Sequence, residues 1–330
     1  MRGSGEETDM SINARIGTAC AVAALLSLGA PALAQDGTLI RTGGTPNYGP
    51  VVPVIVAEEL GLFEAAGIRV EFTGYQGGAA GMEALAAGEA DIINFFPPGL
   101  TLAMQRGVQA QIVGAGTLTP RGWMIMTAAD SDISTPEDLV GGTIGITANG
   151  STTDFFALWL AEQAGGTITR VPVGGGGLIP NLLAGNVDAI VAYPPLSYQV
   201  GQAGDGKVLV DLGEAMEPNL PDVWIASQRI IDTNPEAVRA FLVGLYSAVA
   251  YMQDNREWTI EFLMRHNGFS REIAEEEFDN TIAGLSNDGM IEADWVAASL
   301  QLGHLAGLEG LPEPEEIFVD TFFPVQTIAP

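Results

Sequence analysis

Apolar and polar positions along the chain follow two periods, one of strands and one of helices. Short apolar runs at 39–42, 68–72, 111–114, 123–127 and 143–147 have the length and composition of buried strands. Between them lie helical stretches such as 51–60, joined by short loops, the alternation that a mostly parallel sheet requires. After strands at 207–211 and 223–227 the pattern turns helical. Asn234 is placed to cap, Pro235 takes the first helical position, and the apolar stripe runs on to Met252. Further helices are predicted at 257–266, 271–283 and 293–306, a tail expected to pack back on the first half of the chain.

The chain also repeats itself. Residues 85–98, LAAGEADIINFFPP, return at 182–195 as LLAGNVDAIVAYPP, an offset of 97 that the glycine pairs Gly77-Gly78 and Gly174-Gly175 also keep. Each copy reads as a strand ending in a glycine-rich loop, a helix stopped at Gly88 or Gly185, a short apolar strand and an aromatic-Pro-Pro turn. Two α/β lobes facing each other across a cleft follow from this, because ligands of open α/β sheets sit beyond the carboxyl ends of the strands. The division predicted is 35–118 plus 228–330 for lobe 1 with the C-terminal helices and 119–227 for lobe 2, the chain crossing a hinge near Thr117 to Pro120 and again near Ser227.

Residues 1–34 read as an address rather than as fold. An Ala-rich apolar run at 16–28 follows Arg15 and precedes Ala32-Leu33-Ala34, the pattern of a secretory signal peptide cleaved after Ala34. The run is shorter than the roughly 20 residues a membrane span needs. The acidic residues before Met10 do not suit a signal's start and place the translation start at Met10. A periplasmic protein is expected. Its only cysteine, Cys20, lies within the signal, so the mature chain has no thiol for disulfides, metal thiolates or nucleophilic catalysis. His266 and His304 are too few for a metal cluster or a Ser-His-Asp triad, and no cofactor or metal site is predicted.

Cleavage changes the formal net charge from −28 to −27, which excludes nucleic acid as a partner. Lys207 is the only lysine and no G-x-x-x-x-G precedes it, so the chain has no ATPase loop and any energy source belongs to a partner. A monomer is expected.

Candidate ligand contacts cluster at strand ends. Ser151, Thr152 and Thr153 stand where a helix begins, offering hydroxyls, free amides and the positive dipole end; Asp154 beside them suits a capping role. Asn47 and Tyr48 hold the equivalent position in the other lobe. Gly78 offers a backbone amide, while Phe96, Pro97 and Tyr193 close the aromatic-Pro-Pro turns and supply flat walls. Arg121, with Trp123 beside it, and Trp224 stand next to the predicted hinge crossings. Aromatic walls with a few polar groups suit a small organic molecule better than a bare ion.

Tyr48-Gly-Pro, Ala57-Glu-Glu-Leu-Gly-Leu-Phe63, the LAAGEAD segment, Gly145-Ile-Thr-Ala-Asn-Gly-Ser-Thr-Thr153 and Tyr193-Pro-Pro195 together resemble the nitrate/sulfonate/taurine group of periplasmic binding proteins, also called NMT1/THI5-like. The resemblance implies the type II periplasmic-binding fold. It also implies a small organic ligand, a sulfonate- or taurine-like anion with a pyrimidine or flavin vitamin precursor as the alternative, and ABC permease and ATPase subunits as partners. Members place the ligand's anionic group at the loop matched by Ser151-Thr152-Thr153, and an aromatic beside proline at the position of Tyr193-Pro194. A sensor or an enzyme on the same fold is the alternative from another class. The enzyme branch relies on a cysteine-rich segment that this chain lacks.

Overall fold

The computed structural model describes residues 37–330; the signal peptide read at 1–34 lies outside the described residues. Among these residues ten strands form two sheets. In chain order they are β1 (Thr38–Gly44), β2 (Ile68–Gly74), β3 (Ile92–Phe95), β4 (Ala110–Ala115), β5 (Met124–Ala128), β6 (Thr143–Ile146), β7 (Thr169–Pro172), β8 (Ala189–Ala192), β9 (Gly206–Asp211) and β10 (Val223–Ser227). The sheet orders are β2-β1-β3-β10-β4 and β7-β6-β8-β5-β9.

The two sheets are built alike. β1 pairs in parallel with β2 and β3, as β6 does with β7 and β8. The fourth strand of each sheet, β10 or β5, is antiparallel to both neighbours and carries an irregularity against the outermost strand, at Trp224/Ile225 or Ile125/Met126. The central strands are buried along their whole length, as sheets covered on both faces require.

The repeated aspartate explains part of this likeness. Asp91 accepts the Arg41 amide at 2.9 Å, and Asp188 accepts the Thr143 amide at 2.7 Å, so each ties the start of one parallel strand to its neighbour. Burial works against ionisation of Asp91, but hydrogen bonds from Arg41 and Arg229 outweigh it and hold the carboxyl below its usual range. Gly88 and Gly185 both take positive φ, 75° and 68°, at the end of the preceding helix, which a Cβ would resist.

β10 belongs to the first sheet. The chain therefore returns between Asp211 and Val223, not near Ser227, and 223–227 is not part of the second half as the sequence reading had it. A strand pattern announces a strand without stating which sheet it joins. The C-terminal helices also reach further than expected. Besides packing on the first half, Ala293–Leu305 touches both Pro97–Gln105 and Thr152–Gln163, and Arg271–Asn280 touches Leu196–Ala203 from the second half.

At this last contact a carboxyl is buried without a cation. Glu277 accepts Thr281 Oγ1 at 3.2 Å, its other oxygen has no partner, and that oxygen lies so near Gly49 that a Cβ there would meet it at 2.1 Å. Burial pushes the Glu277 carboxyl up to about 8, well above an exposed glutamate. A carboxyl whose folded value is raised stabilises the fold fully below its unfolded value, and that stability is lost as pH climbs to the folded one. The expected outcome is that denaturant-derived stability falls between about pH 5 and 8. Glu277→Gln, which keeps the size and removes the proton, should flatten that fall; parallel slopes for the two proteins would place the pH dependence elsewhere.

Candidate functional site

The carboxyl ends of the parallel strands in both halves point at one narrow cavity. From the first half come Thr45 after β1, Gly77 and Gly78 after β2, and Asn94 and Phe95 at the end of β3; from the second come Thr147, Ser151, Thr152 and Thr153 after β6, and Tyr193 after β8. Trp123, on the outward crossing, and Pro221-Asp222, on the return, complete it.

One wall is polar. Ser151 begins the helix Thr152–Gln163, and its hydroxyl donates to the Ala148 carbonyl at 2.7 Å. The hydroxyls of Thr147, Ser151 and Thr153 lie 2.7–2.9 Å from one another, and Thr153 Oγ1 also accepts the Thr147 amide. The amides of Thr152 and Thr153 stand in the first turn, where helices have no internal acceptor, and no loop carbonyl takes them. Opposite, Gly77-Gly78 opens a second helix, Gly78–Ala86, so two helix N-termini converge on the cavity. Asp154 takes the Gly150 amide at 2.7 Å and pairs with Arg170; it steadies the loop and does not reach the cavity.

Another wall is aromatic. Tyr48 meets Trp123 at 5.7 Å and 78° and Tyr193 at 5.9 Å and 88°, edge-to-face contacts in which each ring's positive rim meets a neighbour's negative face. Burial raises the Tyr193 hydroxyl to about 12, so this wall stays uncharged at physiological pH.

The floor is a buried acid. Asp222 is only 2% exposed. Its Oδ1 accepts Asn94 Nδ2 at 3.0 Å, and its Oδ2 accepts Thr117 Oγ1 at 2.5 Å, Tyr48 Oη at 3.1 Å and the Thr117 amide at 3.4 Å. Burial raises the Asp222 carboxyl, and the donors from Thr117, Asn94 and Tyr48 pull the other way without cancelling it. Burial, with the nearby Asp222 charge, also pushes the Tyr48 hydroxyl far up, so Tyr48 acts as a donor. No ion pair among the described residues includes Asp222, and no Arg, Lys or His lines the cavity. Gly116 is required beside it, because a Cβ there would stand 1.7 Å from Asp222 Oδ1.

Of the residues expected from the sequence, Tyr48, Gly78, Ser151, Thr152, Thr153 and Tyr193 line this cavity. Asn47 instead lines a second, outer chamber. Phe96 is wholly buried and packs edge-on against Phe155 and Phe156; its neighbour Phe95 faces the cavity, since successive strand residues point to opposite faces. Pro97 is buried at the start of its helix, away from both spaces. Arg121 is exposed, carried outward on the crossing while Trp123 turns in. Trp224 is a core residue packed edge-on against Phe241. Sequence reading missed Thr45, Asn94, Thr147, Pro221 and Asp222 altogether. The signal available for Asp222 was only its place directly before an apolar strand.

The family model described as NMT1/THI5 like matches residues 50–257, well over half of the chain. The chain belongs to the NMT1/THI5-like family. A candidate binding protein of Brucella abortus (strain 2308) is 23% identical to this NMT1/THI5-like chain over 313 residues, covering 91% of it and 96% of the relative. The taurine-binding periplasmic protein of Escherichia coli (strain K12) is 27% identical over 196 residues, which is 57% of this chain and 59% of that one. Among solved structures, the alkanesulfonate-binding protein SsuA from Xanthomonas axonopodis pv. citri bound to MOPS superposes with a TM-score of 0.72 at 20% identity, covering 89% of this chain and 99% of that one. At that identity the likeness establishes the periplasmic-binding-protein fold.

The bonds to Asp222 predict a stability effect. Thr117→Val removes the Oγ1 donor from a buried carboxylate and is expected to cost about 1–3 kcal/mol in denaturant unfolding. Arg121→Ala, on an exposed side chain, should change stability by less than about 0.5 kcal/mol. Equal effects of the two would mean that Asp222 does not depend on its donors.

Proposed function

We propose that this protein is the periplasmic solute-binding component of an ABC-type importer and that its cargo is a small zwitterion, with an anionic group such as a sulfonate at one end and an ammonium at the other. The observation that carries this reading is Asp222, a buried carboxylate that accepts four protein donors yet has no cationic partner. Buried charges are paired or bind metal. The described residues hold no cluster of three metal-ligating side chains, and no helix among them is long and apolar enough to cross a membrane. A ligand ammonium supplies the missing charge. At the other wall the free amides of Thr152 and Thr153 and the converging helix ends receive the anionic group, with no lysine or arginine needed.

The taurine named for the Escherichia coli relative fits this pair of walls, and the sulfonate group named for the SsuA structure fits the amide wall. A flat heterocycle fits less well, because Tyr48 meets the other two rings edge to face and those two are tilted by 50° to each other, leaving no parallel pair of faces to stack on. On this reading the ligand is held and released unchanged. The fold alone does not separate binding from catalysis, and the test therefore includes recovery of intact ligand.

Ligand bridging Asp222 and the Ser151 loop touches both halves and so selects the closed arrangement. In that arrangement the Gly175 amide donates to the Gln76 carbonyl at 3.1 Å across the mouth. The closed form is what the permease and its ATPase read.

Calorimetric titration of the mature protein with taurine and with ethanesulfonate, which lacks the ammonium, tests the reading. Leaving a buried charge without its partner costs about 3–5 kcal/mol, so taurine should bind at least a hundredfold more tightly. Asp222→Asn should abolish that preference. Acid should weaken taurine binding, because Asp222 must give up its proton to pair, and the variant should lack this pH dependence. Ethanesulfonate or nitrate binding as well as taurine would overturn the zwitterion reading, and chemically altered ligand after incubation would overturn the binding-protein reading.

A further inference from the structure

The inner cavity is small for a whole organic molecule. It offers about 30 Å³ to the centres of water-sized spheres, room for about two waters. An outer chamber of about 240 Å³ on the same measure adjoins it, sharing Thr45 and Tyr193 as common walls. Tyr193 thus stands between two spaces of different character.

The outer chamber is built of parts from both halves: Asn47, Tyr75 and Gln76 on one side, Gly175, Gly176, Pro195 and Gln199 on the other. Its wall carries no acidic or basic side chain, in a chain whose formal net charge is −28. The chamber offers three carboxamides, each able to donate and accept, together with the flat sides of Tyr75, Tyr193 and Pro195. Asn47 is held in place, with its Oδ1 accepting Asn267 Nδ2 at 3.2 Å and its backbone in the left-handed region at φ 62°. Uncharged amides around a half-enclosed space suit a neutral group that both donates and accepts hydrogen bonds.

We propose that the outer chamber is a second subsite, which receives an uncharged, hydrogen-bonding extension of the same ligand whose charged head fills the inner cavity. This rests on the zwitterion reading of the inner cavity. The cargo is then an N-substituted aminosulfonate or a compound of the same layout, longer than taurine. The extension passes between Thr45 and Tyr193, and the two halves close over it as well as over the head.

Two probes and two variants test this. The probes are taurine and taurine bearing a tris(hydroxymethyl)methyl group on its nitrogen, titrated calorimetrically in phosphate buffer. Gly176→Phe fills the chamber. A Cβ there would meet only Gln76 Oε1, at 3.8 Å, and Gly176 lines the outer chamber and not the inner cavity. Gln199→Leu removes one carboxamide and keeps the size. We expect the extended probe to bind the natural protein at least tenfold more tightly than taurine. Gly176→Phe should erase that advantage while taurine affinity and thermal midpoint stay within error, and Gln199→Leu should reduce it severalfold. Equal or weaker binding of the extended probe, or variants that weaken both probes alike, overturns the second subsite and leaves the zwitterion reading standing. If the natural protein binds neither probe, the inner-cavity reading fails and the second subsite falls with it.

Discussion

The carboxylate of Asp222 is the constraint around which the two halves are arranged. A buried carboxylate has no water to fill its lone pairs, so protein donors must do so. These four donors come from three separate places: Tyr48 after β1, Asn94 in β3, and both the amide and the hydroxyl of Thr117 on the outward crossing. Asp222 itself lies on the return crossing, where its carbonyl accepts the Gly116 amide at 3.2 Å. One side chain thus pins the two crossings to each other and to the floor of the cleft. Tyr48 carries the constraint onward, because its ring touches Trp123 and Tyr193 while its hydroxyl is committed to Asp222.

The internal repeat serves the fold rather than the site. Asp91 and Asp188 do the same work in their own sheets, each standing just before one parallel strand and binding a backbone amide of the neighbouring one. Both are remote from the cavity. The aromatic-Pro-Pro turns of the two copies diverge: Tyr193 faces the inner and outer cavities, whereas its counterpart Phe96 is used to join the first half to Phe155 and Phe156 of the second. Two lobes of one ancestry can share a scaffold while their loops are free to differ.

What could be read in the sequence follows the range of the physics involved. Strand and helix periods, the Asn234 cap with Pro235 after it, and the glycines ending the repeat helices are local, and the structure has them at Pro235–Asp254, Gly88 and Gly185. The hydroxyl loop was legible for the same reason, being a helix start. The acid floor was not. Nothing near Asp222 distinguishes it from an exposed turn, since its donors lie between 105 and 174 residues away in the chain. The choice of Phe96 over Phe95 failed on parity: one step along a strand reverses the face, and a pattern of consecutive apolar residues does not record which face is which.

The acidic surface bears on which ligand such a site can select. A formal charge of −28 raises a negative potential that reaches about 8–10 Å into solution before salt screens it. An anion approaching the cleft works against that field and then meets Asp222, a further negative charge with no counterion. A zwitterion has no net charge for the field to repel. Its ends can also be matched separately, the ammonium to Asp222 and the anionic group to the amides of Thr152 and Thr153. On the proposed reading the same acid that would penalise a simple anion makes the cleft selective, and its burial makes the absence of a cation more costly. The proposed ligand follows from the surface, the floor and the helix ends only when they are taken together: neutral overall, and charged at both ends.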